Sequence, residues 1–301
     1  MGILVAGAVF VDIKGFPEGA YIPDGRNAGR IEYRHGGVSR NVVEDLAHLG
    51  FRPVFLSMVE DSAMGQDVLE HLKACQVNTD YVMLREKGMG KWLAVFDEKG
   101  DLAGSISERA DMSPLAEMLD EKGEEIFRDI DTVCIQADLP AAVLERLFAL
   151  AERQGARKYA VIANMSIAAE QRDFLKRYDC LVCNQIEAGQ FFREDYTELS
   201  AEELCGILSH HIDSGQIASM VVTMGDQGCV YASSDGESGC CPAEQVKVVD
   251  TTGAGDAFFA GMAAGLASGS SLAQAVRIAG RVAATVVASS ENVCPVQEFH
   301  L

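Results

Sequence analysis

Apolar residues in this chain come in short runs, and the runs alternate with longer stretches where they recur every three or four positions. Residues 3–9 form such a run, ending near Gly7, and read as a buried strand. Between 39 and 49 the apolar positions Val42, Val43, Leu46, Ala47 and Leu49 fall at helical spacing, with Ser39 placed to cap the helix and Gly50 to stop it. Residues 53–59 read as a strand and 65–75 as a helix. The runs 92–96 and 102–106 flank Asp97-Glu-Lys-Gly100, a hairpin signal. Strand and helix then alternate: strands at 131–137, 159–163, 180–183 and 220–224, helices at 140–154, 168–177 and after Ser200. A second hairpin is expected from 228–232 into 246–249, leading to a long helix from Gly255. Strands alternating with helices of this length predict an α/β fold, a mostly parallel sheet covered by helices on both faces. The regions 10–35 and 88–107 break the alternation and predict a small β flap beside that sheet. Within the first of them, residues 12–30 are rich in Gly, Pro and polar types and read as loop and edge structure. There is no internal repeat or low-complexity linker, so residues 1–301 read as a single domain.

Charge narrows the partners. Lys and Arg number 25 against 45 Asp and Glu, a net charge of -20. Such a surface repels nucleic-acid phosphates and anionic lipid, yet local backbone N–H groups can still hold a nucleotide's phosphates. No apolar run approaches the roughly 18 residues of a membrane helix, and the start shows no secretory pattern, so a soluble, cytoplasmic protein is expected. Of nine cysteines, Cys180 and Cys183 have metal-clip spacing but no second pair to complete it. They read as small hydrophobes in a buried strand. The six histidines show no ligand spacing, and His210-His211 reads as solvated.

The segment from Val246 through Asp250-Thr-Thr-Gly-Ala-Gly-Asp256 to Gly261 passes from an extended run through a Gly-rich turn into a helix. Unpaired N–H groups at that helix start form an anion cradle. The turn lacks both the Gly-Lys-Ser/Thr ending of a P-loop and the third glycine of a dinucleotide fingerprint. Residues 5–12 likewise carry one glycine where that fingerprint needs three, which argues against a nucleotide-dependent oxidoreductase. An aspartate beside a phosphate cradle repels the ligand unless it has a task, such as accepting a hydroxyl proton or holding a metal. The bland alternative is a residue favouring a helix N-terminus, and the local chemistry leaves both open. Ala257, Gly261 and Gly265, four apart, read as a small-residue face for close contact with the sheet.

The stretch 250–261 resembles the C-terminal signature of ribokinase-like (PfkB-type) sugar and nucleoside kinases. His35-Gly-Gly-Val-Ser-Arg-Asn41, leading into a helix that ends Leu49-Gly50, resembles the N-terminal signature, and the resemblance spans essentially the whole chain. It implies ATP-dependent phosphoryl transfer to a hydroxyl, with Asp256 as base and the amides of Gly253, Ala254 and Gly255 as anion hole. Asn184 and Glu187 resemble an Asn-x-x-Glu motif that holds Mg2+ and phosphate through water; the alternative is a polar helix start capped by Asn184. Thr223, Gly225 and Gly228 would line the nucleotide site, with Asn292 in the stretch that closes over adenine. Asp250 and Thr252 match positions that bind a monovalent cation, K+, in several members.

For the acceptor, the resemblance assigns Asp12, Gly36, Gly37 and Asn41 to a sugar or nucleoside. Phe10 stands where ribokinases carry an asparagine that contacts ribose, a departure from plain ribose. The Gly-Gly-Val-x-Arg-Asn form is more similar to pseudouridine kinases and their relatives. Arg40 reads either as a contact to a substrate base or carboxylate, or as a solvated first-turn residue. Regions 10–35 and 88–107 would be the lid, with Trp92 packed inside it, and such lids often pair two subunits into a homodimer. The rival readings are a metabolite-binding member without catalysis and a kinase for another acceptor, such as a fructose-type sugar, a sugar acid or a purine nucleoside.

Overall fold

The computed structural model describes residues 2–215 and 217–296. Its larger sheet has nine strands in the order β13-β12-β11-β10-β9-β8-β1-β4-β5. Seven of them run parallel: β1 (Ile3–Ala6), β4 (Val54–Glu60), β5 (Val82–Arg85), β8 (Thr132–Gln136), β9 (Arg157–Val161), β10 (Cys180–Asn184) and β11 (Ser219–Thr223). The hairpin strands β12 (Cys229–Ser233) and β13 (Ser238–Cys241) finish one edge antiparallel. The central strands are mostly apolar on both sides because each face meets a core. Leu4, Ala6, Leu56 and Ile135 point into one cluster with α3 (Leu115–Ile126), α4 (Ala141–Gln154) and α8 (Ala201–Asp213). Ile3, Val5, Phe55 and Cys134 point into the other, with α1 (Val38–His48), α2 (Ala63–Ala74), α9 (Ala254–Ala267) and α10 (Leu272–Val287). Cys180 and Cys183 are buried in β10, one on each of these faces.

Residues 10–36 and 90–108 build a separate four-stranded sheet in the order β3-β2-β6-β7, from β2 (Phe10–Pro17), β3 (Gly29–Gly36), β6 (Gly90–Phe96) and β7 (Leu102–Glu108). Residues directly opposite across strands share a face. Arg34, Asp12, Trp92 and Ser107 therefore form one row, and Tyr33, Ile13, Leu93 and Ile106 form a row on the opposite face.

Several local expectations need correction. The partner of β12 is 238–241, not 246–249; the Val249 N–H instead donates to Val287 O at 2.9 Å, tying that segment to the end of α10. The stretch 168–177 is broken into α5 (Met165–Ala168), a turn of 3-10 helix and α6 (Arg172–Leu175). The first helix is capped at Gly37 without a side-chain bond, and Ser39 lies inside it, its hydroxyl donating to Gln136 Oε1. The small-residue face of α9 meets a helix and not the sheet: a side chain at Gly261 would collide with Ala279 and Val282 of α10. His211 is buried, stacked on Phe192 and bonded to the Tyr196 hydroxyl. His71 sits 2.7 Å from Glu44 and 3.9 Å from Cys75, a juxtaposition that spacing along the chain does not show.

Candidate active site

The carboxyl ends of β1, β8, β10 and β11 open on one side of the large sheet, where ligands gather in folds of this kind. Helix α9 starts there. Gly253 is its N-cap at φ 81°, and an added Cβ would lie 2.0 Å from the Asn292 carbonyl oxygen. Only glycine suits this turn. The first-turn residues Ala254, Gly255 and Asp256 follow, with N–H groups that have no acceptor within the helix. Of these the Ala254 N–H makes a 3.2 Å bond to Thr251 O.

Asp256 is half-buried beside these amides. Its Oδ2 accepts a 2.5 Å bond from Asn41 Nδ2. Burial pushes the carboxyl up to about 6; Asn41 and Arg40 oppose that rise, while Glu187 and Asp12 add to it. The amide of Asn41 is fixed in orientation, because its Oδ1 accepts from Arg40 Nη2 and from Asn292 Nδ2 (3.3 Å). That leaves Nδ2 for Asp256 and the other Asp256 oxygen for a reacting group.

Arg40 is neither solvated nor open to a ligand. Its side chain is 2% exposed, paired with Glu44 at 2.5 Å and bonded to His35 O and Asn41. It is a positioning residue behind the site. Asp45, one turn beyond Asn41, is fully buried; burial holds its carboxyl well above the usual carboxylate range despite the 2.6 Å bond from the Cys294 N–H. One of its oxygens has no hydrogen-bond partner, as suits a neutral acid. Asp45→Asn is therefore expected to shift stability by less than about 1 kcal/mol, whereas Asp45→Ala, which orphans the Cys294 N–H, should cost about 2–3 kcal/mol by chemical denaturation.

On the small sheet, Asp12 stands over Gly36, where a Cβ would lie 2.5 Å from its carboxylate oxygen. Burial raises the Asp12 carboxyl, with Lys14 and Arg40 opposing. Gly36, Gly37, Asn41 and Asp256 thus come together with Asp12 between the two sheets.

Two cavities open along these elements, one at the start of α9 and one under β2. One, of about 480 Å³, is lined by Thr223, Gly225 and Gly228 together with Thr251, Ala254 and Gly255. Its apolar wall is Val246, Val248, Phe258, Val276 and Val287, so the run expected as a strand is the rim of this cavity. The other, of about 260 Å³, lies under Phe10 against Gln136, Asp138, Arg109 and Gln171. The signal that could have found the second cavity is the polar pair Gln136 and Asp138, at and just beyond the end of a mostly apolar strand.

Asn292 does not line the larger cavity: its side chain donates to His35 O at 3.0 Å and to Asn41, on the small-sheet side of Asp256. Asn184 and Glu187 form a capping box at the start of α7 (Gln185–Phe192), each side chain accepting the other's backbone N–H at 2.9 Å. The box engages one Glu187 oxygen, and burial raises this carboxyl. Asp250 accepts from the Thr252 N–H at 2.9 Å, an Asx-type turn leading into the Gly-rich segment.

Known proteins resemble this chain over nearly its whole length. A model of the pfkB family carbohydrate kinases matches residues 2–297. The chain is 36% identical over 292 residues to the guanosine-inosine kinase of Exiguobacterium acetylicum, covering 96% of this chain and 95% of that protein. It is 27% identical to the pseudouridine kinase of Escherichia coli strain K12, over 87% of this chain and 82% of that one. Arabidopsis thaliana ribokinase, solved with ribose and ATP, superposes over 98% of this chain and 95% of its own with a TM-score of 0.85 at 22% identity. The chain belongs to the pfkB family of carbohydrate kinases. It is a phosphotransferase with an alcohol group as acceptor, on a ribokinase-like fold. Among the described residues no helix is long and apolar enough to cross a membrane.

Proposed function

We propose that this enzyme transfers the γ-phosphoryl group of ATP to the exocyclic hydroxyl of a purine nucleoside, with guanosine and inosine as the first candidates. The observation that carries the transfer is the Asp256 carboxylate, held on one oxygen by Asn41 and set in the first turn of α9, where Ala254 and Gly255 line the larger cavity. Adenine fits the apolar wall of the larger cavity. Its phosphates run past Gly225 and Gly228 to the amides of Gly253, Ala254 and Gly255, which meet charge as it builds on the transferring group. Asp256 accepts the acceptor hydroxyl's proton as the oxygen attacks the γ-phosphorus and ADP leaves.

Ribose hydroxyls are bonded by Asp12 and Asn41, with the backbone at Gly36 and Gly37 allowing close approach. The four-stranded sheet acts as lid and excludes water that would otherwise take the phosphoryl group. Phe10 favours an acceptor that brings a ring, and the identity to the guanosine-inosine kinase favours a purine over pseudouridine.

Glu187 offers the hard oxygen donor Mg2+ prefers, one of its oxygens being engaged in the capping box. With Asn184 it would hold the ion through water, and the ion would neutralise charge on the phosphates. Asp250 and Thr252 are proposed for K+. Asn292 is assigned to holding Asn41, not adenine.

A homodimer through the lid has support in the row Tyr33, Leu93 and Ile106, exposed by 58%, 42% and 69% on the face away from Asp12. Two measurements follow. Asp12→Ala should raise KM for the acceptor at least about tenfold with little change in KM for ATP; an unchanged acceptor KM removes Asp12 from the acceptor site. ADP release from Mg-ATP should appear with purine nucleosides in a panel of sugars, sugar acids, pseudouridine and nucleosides. Release with a sugar alone would move the acceptor class.

A further inference from the structure

The smaller cavity has a composition that the transfer chemistry leaves unused. Asp138 is 5% exposed, and its Oδ2 is paired with Arg109 while Oδ1 has no hydrogen-bond partner. Gln171 donates through Nε2 to Leu139 O at 3.2 Å, which fixes its amide orientation and leaves Oε1 buried without a partner. Buried acceptors left open in this way are unfavourable unless something completes them. Both residues line the cavity under Phe10, together with Arg109.

The cavity is joined to the reaction centre by short links. Phe10 and Asp12 are two apart on β2, so their side chains share a face. Gln136 Oε1 accepts from the Ala8 N–H and the Ser39 hydroxyl, which ties the end of β8 to the residues after β1 and to the start of α1. A nucleoside whose ribose lies on Asp12 and Asn41 thus projects its base toward Phe10. Arg109 follows directly on the lid strand β7 and is 39% exposed over the Asp138 carboxylate. A base entering the cavity meets the guanidinium first, and swinging it aside opens the unpaired carboxylate oxygen.

We infer that Asp138, Gln171 and Arg109 read the acceptor's base and select a 6-oxo-2-aminopurine. The inference rests on the nucleoside kinase reading above. The wall offers one donor and two acceptors. Guanine presents the complement on one edge: an oxo group for Arg109, and a ring N–H and an amino group for the two open oxygens. Hypoxanthine keeps the oxo group and the ring N–H and leaves Gln171 unpaired. Adenine sets a ring-nitrogen lone pair where a donor is needed. Uracil offers two oxo groups around one N–H and so places an oxygen against an acceptor; pseudouracil, linked through carbon, adds a second ring N–H but has no amino group, so one acceptor of the wall stays unpaired. Phe10 stacks on any of these rings and gives affinity without choice.

The test is kcat/KM for guanosine, inosine, adenosine and pseudouridine in the intact enzyme and in Asp138→Asn and Gln171→Leu. The intact enzyme should prefer guanosine over adenosine by at least about a hundredfold, since buried polar groups of the site are left unpaired by the wrong base. Asp138→Asn, which turns an acceptor into a donor, should lower kcat/KM for guanosine about tenfold or more while that for adenosine holds or rises. Gln171→Leu should lower guanosine and leave inosine unchanged, a split that a merely structural role would not produce. Equal losses on all four nucleosides in both variants would overturn the inference and leave the kinase reading standing. Absence of phosphorylation of every nucleoside by the intact enzyme would overturn both.

Discussion

Asp256→Asn is expected to lower kcat by about a hundredfold to ten-thousandfold, the range for loss of a general base, while ATP and nucleoside still bind. The amide is isosteric and its oxygen can still accept from Asn41 Nδ2, so the site keeps its shape. What is lost is the lone pair that takes the hydroxyl proton. The base must be ionised to work, so kcat/KM for the intact enzyme should rise with pH through about 6 and level off above it. The same burial links activity to stability. A carboxyl raised in the folded state favours folding in acid, and that contribution is lost as pH rises from the ordinary value of 3.8 through about 6. At about pH 8 the ionised Asp256 costs roughly 3 kcal/mol relative to a neutral side chain. Asp256→Asn should therefore unfold later than the intact enzyme at that pH, and the gain should vanish below about pH 4. Near-normal turnover in this variant would remove Asp256 from the role of base.

Gly253→Ala should be the most damaging small substitution away from Asp256. The residue holds φ 81°, and its new Cβ would lie 2.0 Å from the Asn292 carbonyl oxygen. A non-glycine residue in that conformation costs about 1–3 kcal/mol, and the collision is with backbone, which cannot rotate away. Relief has to come from moving the turn, and with it the first-turn amides, or from moving residue 292, which steadies Asn41. Either shift misaligns donors that meet the transferring phosphoryl group. Loss of one such donor lowers kcat by about a hundredfold to a thousandfold. Turnover should fall by that order, with a lowered unfolding midpoint in denaturant. Wild-type kinetics would show that the α9 amides are not the anion hole.

The large sheet was legible because its strands are buried on both faces, so runs such as 3–6 and 133–135 stand out as unbroken apolar segments between helical stretches. Runs of the same appearance at 246–249 misled, since valines that wall a cavity and valines that fill a strand look alike until pairing is known. Periodicity placed the first helix but not its cap: Ser39 has the right chemistry, yet Gly37 makes the turn, freeing the Ser39 hydroxyl for Gln136. The glycine face of α9 signals close approach without naming the partner, and that partner is α10. Of the site, Asp256, Asn41, Gly36 and Asp12 were visible through the resemblance of their segments to the family's motifs, and Asp256 also through its place at a Gly-rich helix start. Arg40 was singled out but not its burial against Glu44, His35 and Asn41; Asp138 and Gln171 were not visible, because an orphaned oxygen is defined by partners about 30 residues away and by the cavity itself. The capping box of Asn184 and Glu187 shows the limit from the other side, since the same two residues satisfy a helix start and a proposed ion site.

The most direct test is to incubate the enzyme with Mg-ATP and guanosine and identify the product by mass spectrometry and phosphorus NMR, with Asp256→Asn alongside. Formation of the nucleoside 5′-monophosphate and ADP in equal amounts, abolished in the variant, is the result expected. ATP turned over to free phosphate with guanosine unchanged, or the same product from the variant at the same rate, would contradict a nucleoside kinase with Asp256 as its base.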